Sequence, residues 1–290
     1  MDGHLNTKLL GVGSTKGTHF AVTTLLEAIA PNSIQTGKIG VSHAYSILLQ
    51  KGNQQVIVDG GPSSGKMVDQ LGDKLPFWDR NIELLVLTHP DADHITGLVE
   101  VMQRYKVEKV LTSGQETDSD IYREWCKLID EKGIELIIAE VGQEIIMKDG
   151  IQLTVLHPQE TPVEGATTDL NNNSVVLQLE YGNFSLLLTG DIGEEAEERL
   201  VNGNTRLKST VLKVAHHGSN SSTTPEFLTG VDPLFAAISA GADNKFGHPT
   251  NEVIDRIEKV VVEDGLYVTS EDGAIEFITN GEKLWVQTRR

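Results

Sequence analysis

Apolar residues along this chain fall in short runs separated by turns, and the period switches repeatedly between that of a strand and that of a helix. Residues 82–88 carry Leu84, Leu85, Val86 and Leu87 in succession, the pattern of a strand covered on both faces. Directly after it, Ile95, Leu98, Val99 and Met102 recur at helical spacing, which predicts a helix over 95–105. A second helix is predicted over 121–132, where Ile121, Trp125, Leu128 and Ile129 form one stripe. Strands are predicted at 109–112, 136–139, 144–148 and 151–156. Two hairpins stand out, 45–49 with 56–59 around Lys51-Gly52-Asn53, and 175–180 with 184–189 around Tyr181-Gly182-Asn183. Beyond them the pattern gives helices at 194–201, 225–228 and 252–262, and strands at 210–215, 234–239, 266–269, 274–279 and 284–287.

A hairpin therefore opens each half, and strands then alternate with helices. The architecture this implies is α/β, a sandwich of two mixed sheets with helices outside them. Residues 1–35 are rich in Gly and Thr, with one apolar patch over 20–30 ending at Pro31, and read as a leader or appended element. Residues 36–290 contain no linker or low-complexity stretch and read as one domain.

Composition narrows the chemistry. Asp and Glu number 42 against 24 Lys and Arg, a net charge of −18 that disfavours non-specific binding of long polyanions. The one cysteine, Cys126, excludes a disulfide framework and any Cys-rich zinc fold, so a bound metal would need His and carboxylate ligands. No run approaches the roughly 20 apolar residues that span a bilayer, and the N-terminus lacks a secretory pattern. The expectation is a cytoplasmic protein with no membrane partner.

Five short motifs carry candidate chemistry. His89-Pro90-Asp91-Ala92-Asp93-His94 places four potential ligands at the end of a buried strand. Such a cluster is costly in a cleft unless it is paired or metal-bound, which makes a plain polar turn the weaker reading. Asp191, in Thr189-Gly190-Asp191, sits between a strand and a helix; alone it reads as a helix-capping acid. His216 and His217, in His216-His217-Gly218-Ser219, again leave a buried strand, and as a pair they fit ligands or solvated loop residues equally. Asp59-Gly60-Gly61 follows a strand, and Asn171-Asn172-Asn173-Ser174 opens one as a turn.

In this order, DGG, HxDxDH, NNNS, TGD and HHGS resemble the metallo-β-lactamase superfamily, and within it the C-terminal hydrolase domain of the ComEC/Rec2 competence proteins and their free-standing relatives. The resemblance runs from about Ile39 to about Gln287. It implies a four-layer αβ/βα sandwich with a metal site at one edge between the sheets. It also implies metal ligands at His89, Asp91, Asp93, His94, Asp191 and His217, with Asp191 bridging two ions and His216 a possible substitute for His217. Asp91 stands where the wider superfamily has His. Asp59 corresponds to an acid that orients the ligand loop. Asn172 and Asn173 lie where other branches carry a further ligand His, and His157 is an alternative for that position or a structural residue. The competence-type VGQGD turn is replaced by Ile39-Gly40-Val41-Ser42-His43-Ala44, which lacks the acid. His248, in Phe246-Gly247-His248-Pro249-Thr250, matches the GHP element, where it either approaches a leaving group or caps the next helix.

Three carboxylates against three imidazoles, with no thiolate, place manganese beside zinc as the expected divalent ion. Two such ions and a metal-activated hydroxide suit phosphodiester hydrolysis. Expected catalytic residues are Asp93, His216 and His248, with Lys213, Ser219 and Ser222 near enough to bind an anionic group. Adjacent residues on a strand face opposite ways, so only one of the pair can face the metals; the resemblance, in which a Gly follows the ligand His as Gly218 does here, implies that it is His217, with His216 toward substrate. The expected substrate is a phosphodiester or other small anion, single-stranded DNA among them. The alternatives are a hydrolase of a non-phosphate ester, lactone or thioester, and a non-catalytic sensing member of the fold.

Overall fold

The computed structural model describes residues 6–8, 20–24, 46–147, 150–159, 170–203, 205–242 and 244–289. Two short strands, β1 (Asn6–Lys8) and β2 (Phe20–Thr24), precede the predicted first hairpin, β3 (Ile47–Lys51) and β4 (Gln54–Val58). Next come α1 (Ser64–Lys74), β5 (Asn81–Leu87), α2 (Ala92–Arg104), β6 (Lys106–Thr112), α3 (Asp120–Lys132) and β7 (Glu135–Ile138). The second half runs through β8 (Glu144–Ile146), β9 (Gln152–His157), β10 (Val176–Tyr181), β11 (Phe184–Leu188), α4 (Glu194–Asn202) and β12 (Val211–Lys213). It closes with α5 (Pro225–Val231), β13 (Phe235–Ile238), α6 (Asn251–Glu258), β14 (Leu266–Val268), α7 (Thr269–Asp272), β15 (Ala274–Thr279) and β16 (Leu284–Arg289).

These strands form a nine-stranded sheet in the order β1-β16-β15-β2-β3-β4-β5-β6-β7 and a seven-stranded sheet in the order β14-β13-β12-β11-β10-β9-β8. Both are mixed: β4 to β7 run parallel, as do β11 to β14, and the remaining pairs are antiparallel. Alternation of side chains builds four layers from this. On β5, Leu84 and Val86 enter the core between the sheets, while Ile82, Leu85 and Leu87 enter a second core under the helices. On β11, Leu186 and Leu188 face the inter-sheet core and Leu187 the helix-covered one. The continuous apolar runs that predict these strands are thus explained by helices on one side and a sheet on the other. The four-layer αβ/βα sandwich expected from the sequence is the observed fold.

Two local readings need correction. No helix is predicted between the first hairpin and residue 82, yet from Ser64 the chain enters α1, whose buried Met67 and Leu71 are diluted by Gly65 and Gly72. The strand expected over 210–215 stops at Lys213 and gives way to a 3-10 turn, Ala215–Gly218. The turn expected at the Asn run is present, as a 3-10 turn over Asn171–Asn173 ahead of β10. The 39–44 turn with His43 lies outside the described residues. Among the described residues no helix is long and apolar enough to cross a membrane.

Candidate metal centre

The candidate ligands leave the C-terminal ends of parallel strands. Strand β4 delivers Asp59, β5 delivers His89, β11 delivers Asp191 and β12 leads to His217. The two sheet edges are tied here by a hydrogen bond from Val175 N to Thr88 O of 2.9 Å. Rigid strands converging at one edge are what allow short loops to hold a precise cluster.

Asp59 organises the first sheet's contribution. Its Oδ1 accepts from Thr88 N at 2.9 Å, and its Oδ2 accepts from Thr88 Oγ1 at 2.8 Å and from His94 Nδ1 at 2.8 Å. Because the Thr88 hydroxyl donates to Asp59, its oxygen accepts from His89 Nδ1, 3.0 Å away. His89 is thereby fixed in the tautomer that carries its proton on Nδ1 and a lone pair on Nε2, while Asp59 fixes the orientation of the His94 ring through its Nδ1. The rings lie 4.1 Å apart between centroids. His89 Nε2 is buried, has no hydrogen-bond partner among the described residues and lies 3.7 Å from Asp91 Oδ2.

The Gly60–Gly97 contact sets this arrangement in place. Gly60 N donates to His94 O at 2.7 Å, and Gly97 N to Gly61 O at 3.0 Å. A Cβ on Gly97 would lie 1.8 Å from Gly60 O, so only glycine lets the DGG loop dock on the second turn of α2.

Asp191 occupies the middle of the cluster. Its Oδ2 lies 2.6 Å from His217 Nε2 and 3.4 Å from His94 Nε2, and its Oδ1 lies 3.5 Å from Lys213 Nζ. Helix α4 starts only at Glu194 with Gly193 as its N-cap, so Asp191 is not a capping acid. Gly190, at φ +53, has room for no side chain: a Cβ would approach Ser174 Cβ to 2.6 Å. Lys213 is buried and donates to Gly190 O at 2.8 Å, so its charge serves Asp191 from within the protein.

Among the described residues two triads could hold cations: His89, His94 and Asp191, and Asp93, His94 and His217, each with ligand atoms within 4.8 Å of one another. Asp91 is half-exposed at the N-terminus of α2 and makes no capping bond with its side chain. Burial and the neighbouring Asp93 charge raise its carboxyl above the usual range. Burial lowers His89 to about 3, aided by the His94 charge, and burial likewise lowers His217 to about 3 against the pull of Asp191. Burial opposes protonation of His94 too, but Asp191 and Asp59 on either side outweigh it and hold the ring well above 6.5. Burial would also raise Asp191, but His217, His94 and Lys213 hold it well below 3.8. Two neutral imidazoles, a buried Nε2 lone pair on His89 and a central carboxylate form a donor set suited to divalent ions.

His216 and His217 diverge, although not by strand alternation. Both lie inside the 3-10 turn in left-handed backbone, at φ +43 and +59. His217 is buried on Asp191, whereas His216 is half-buried, with Nδ1 3.4 Å from Ser221 Oγ and Nε2 3.4 Å from Asn171 Nδ2. The His248 ring lies 6.0 Å from His216. The next helix, α6, takes Thr250 as its N-cap.

Other expected residues sit one layer away. Asn172 braces the loop after Asp191: its Oδ1 accepts from Gly193 N at 2.7 Å and its Nδ2 donates to Glu195 at 2.8 Å. Asn173 lines a neighbouring cavity of about 910 Å³ with Pro158, Gln159 and Gln115. Ser219 Oγ pairs with Ser221 Oγ at 3.0 Å, and Ser222 Oγ donates to Ala215 O at 3.1 Å, so both hold the His216–His217 turn. His157 donates from Nε2 to Asn172 O at 2.8 Å and serves that loop. Sequence reasoning overlooks Thr88 and Ser174, whose hydroxyls lie 3.0 and 3.3 Å from His89 Nδ1. A hydroxyl adjoining each motif is the one signal that points to them.

A family model described as the metallo-beta-lactamase superfamily matches residues 39–240. The chain is 32% identical over 213 residues to ComE operon protein 3 of Bacillus subtilis, a match covering 71% of this chain and 26% of that protein. It is 28% identical over 254 residues to competence protein ComA of Neisseria gonorrhoeae, covering 87% and 33% respectively. The chain thus spans about a quarter to a third of the length of these curated relatives. In fold it is similar to the metallo-beta-lactamase fold protein YhfI from Bacillus subtilis, with a TM-score of 0.56, 13% identity, and coverage of 90% of this chain and 100% of that one.

Proposed function

The chain belongs to the metallo-beta-lactamase superfamily, and from that premise we propose that it is a metal-dependent phosphodiester hydrolase. The observation that carries this reading is the buried, partnerless Nε2 of His89, set beside Asp191 and the Asp59-oriented His94. His89, Asp91, Asp93, His94, Asp191 and His217 would hold two divalent ions, zinc or manganese. Such ions supply Lewis-acid activation of water and neutralise charge on a phosphoryl oxygen. Asp59 and Lys213 fix the orientation of His94 and Asp191. Asp93 aligns the attacking water from the mouth of the cluster, while His216 and His248, beyond His217, face the side where a leaving oxygen takes up a proton. An even count of carboxylate and imidazole donors favours a hard ion and phosphate chemistry. Similarity to a competence protein supports a nucleic-acid-derived diester as substrate, and the net charge of −18 favours a small or single-stranded one.

The test is hydrolysis of bis-(p-nitrophenyl) phosphate after loading with manganese or zinc, compared with p-nitrophenyl acetate. Manganese-stimulated phosphodiester cleavage, lost in Asp93→Ala without loss of fold, is the expected result. Cleavage of the acetate alone, with zinc only, would assign the site to carboxylic esters, lactones or thioesters.

A further inference from the structure

We propose that Phe246 is a stacking platform for an unpaired nucleobase of the substrate, held beside the candidate centre. This rests on the phosphodiester reading and adds to it the residue that would hold a base of the substrate. A row of rings leads outward from the cluster. The His217 ring lies 5.8 Å from His216, His216 lies 6.0 Å from His248, and His248 is stacked on Phe246 at 6.2 Å with an angle of 12° between the planes. Phe246 is 59% exposed, an unusual position for a phenyl ring one ring from a catalytic mouth.

The loop that carries it is fixed to the site. Asn244 Oδ1 accepts from His248 N at 2.9 Å, and its Nδ2 donates to His248 O. Pro249 packs on Gly218, where a Cβ would come within 2.6 Å of the proline Cβ, and Thr250 N donates to Gly218 O at 3.0 Å. Phe246 is thus tied to the turn that presents His216 and His217. Lys245 Nζ lies over the Phe246 ring, 5.2 Å from its centre, placing a cation at the platform on an otherwise acidic protein. An exposed aromatic ring with an adjoining cation is the pairing that binds single-stranded nucleic acid, the ring taking a base and the cation the backbone. Bases in a duplex are already stacked on one another, so the platform selects single strands, strand ends or nucleotides.

Fluorescence anisotropy of an end-labelled single-stranded oligothymidylate, and of an abasic oligomer of equal length and charge, tests the proposal alongside cleavage of both in manganese. The unmutated protein is expected to bind the base-bearing oligomer more tightly by about five- to a hundred-fold. Phe246→Ala should reduce that binding to the level of the abasic oligomer, and Phe246→Trp should retain the preference. Equal binding of the two oligomers by the unmutated protein, or a preference surviving in Phe246→Ala, would overturn the platform. Cleavage without base preference overturns the platform and leaves the hydrolase reading standing; base preference without cleavage in any metal upholds the platform and removes the hydrolase reading.

Discussion

His94 Nδ1 lies 2.8 Å from Asp59 Oδ2, so an acid that need touch no ligand ion decides which nitrogen of His94 faces the cluster. The same carboxylate holds Thr88, and Thr88 sets the tautomer of His89. Asp59→Ala releases both rings at once. Metal affinity should fall by about 10- to 100-fold, as for other partners of metal-ligating His. Stability should fall by about 1–3 kcal/mol, because Thr88 N and the His94 ring lose a buried acceptor. Calorimetric titration with manganese and urea unfolding measure the two effects; unchanged metal affinity would show that Asp59 does not set the ring orientation.

Gly97→Ala probes the backbone contact beneath the cluster. The added methyl would meet Gly60 O at 1.8 Å, a backbone atom that cannot rotate away. The DGG loop and the start of α2 must separate, at a cost of about 2–3 kcal/mol. Metal affinity should fall with stability, since the Gly60 N to His94 O bond lies in the same contact. A variant as stable as the parent would mean that the loop and helix move apart freely.

Much of this was open to sequence reasoning, for physical reasons that differ by residue. His89, Asp91, Asp93 and His94 are legible because four ligand-type side chains crowd into six positions after a strand buried on both faces. Asp191 is ambiguous by itself, since a strand-to-helix acid is more often a cap; the order of motifs is what singles it out. The Gly60–Gly97 contact is invisible in the sequence because it joins a loop to a helix that meet only in the folded chain. Helix α1 escapes because Gly65 and Gly72 interrupt its short apolar stripe. For His217 the expected direction agrees with the structure, but the expected cause does not: β12 ends at Lys213, and two successive left-handed residues turn the rings apart.

That turn makes distinct predictions for its two histidines. His217 Nε2 lies 2.6 Å from Asp191 and belongs to the second triad, so His217→Ala should lose metal. His216 is half-buried at the mouth, so His216→Ala should keep its metal and lose turnover by about 100-fold or more, the scale of a lost general acid. Metal content by atomic emission, set beside turnover of bis-(p-nitrophenyl) phosphate, separates the two. The reverse result would transfer the ligand role to His216.

His157 should give the fold a pH dependence. Burial lowers its pKa from 6.5 to about 4, opposed by its bond to the Asn172 carbonyl. The fold favours the neutral ring, so the contribution is fully present above pH 6.5 and is lost as pH falls from 6.5 towards 4. Its size is about 3 kcal/mol. A glutamine can also donate to Asn172 O but does not titrate, so His157→Gln should lose less stability than the parent between pH 7 and 4.5. Parallel urea-unfolding curves for the two proteins across that range would refute the assignment.

The count of divalent ions bound per chain after loading with manganese or zinc, in the unmutated protein and in Asp191→Asn, tests the central claim most directly. Asp191 stands between His94 and His217, so replacing its charge should deplete both triads. The account predicts two ions per chain in the unmutated protein and fewer than one in Asp191→Asn, with circular dichroism unchanged. An unmutated protein that binds no divalent ion under these conditions, or an Asp191→Asn variant that still binds two, would contradict it.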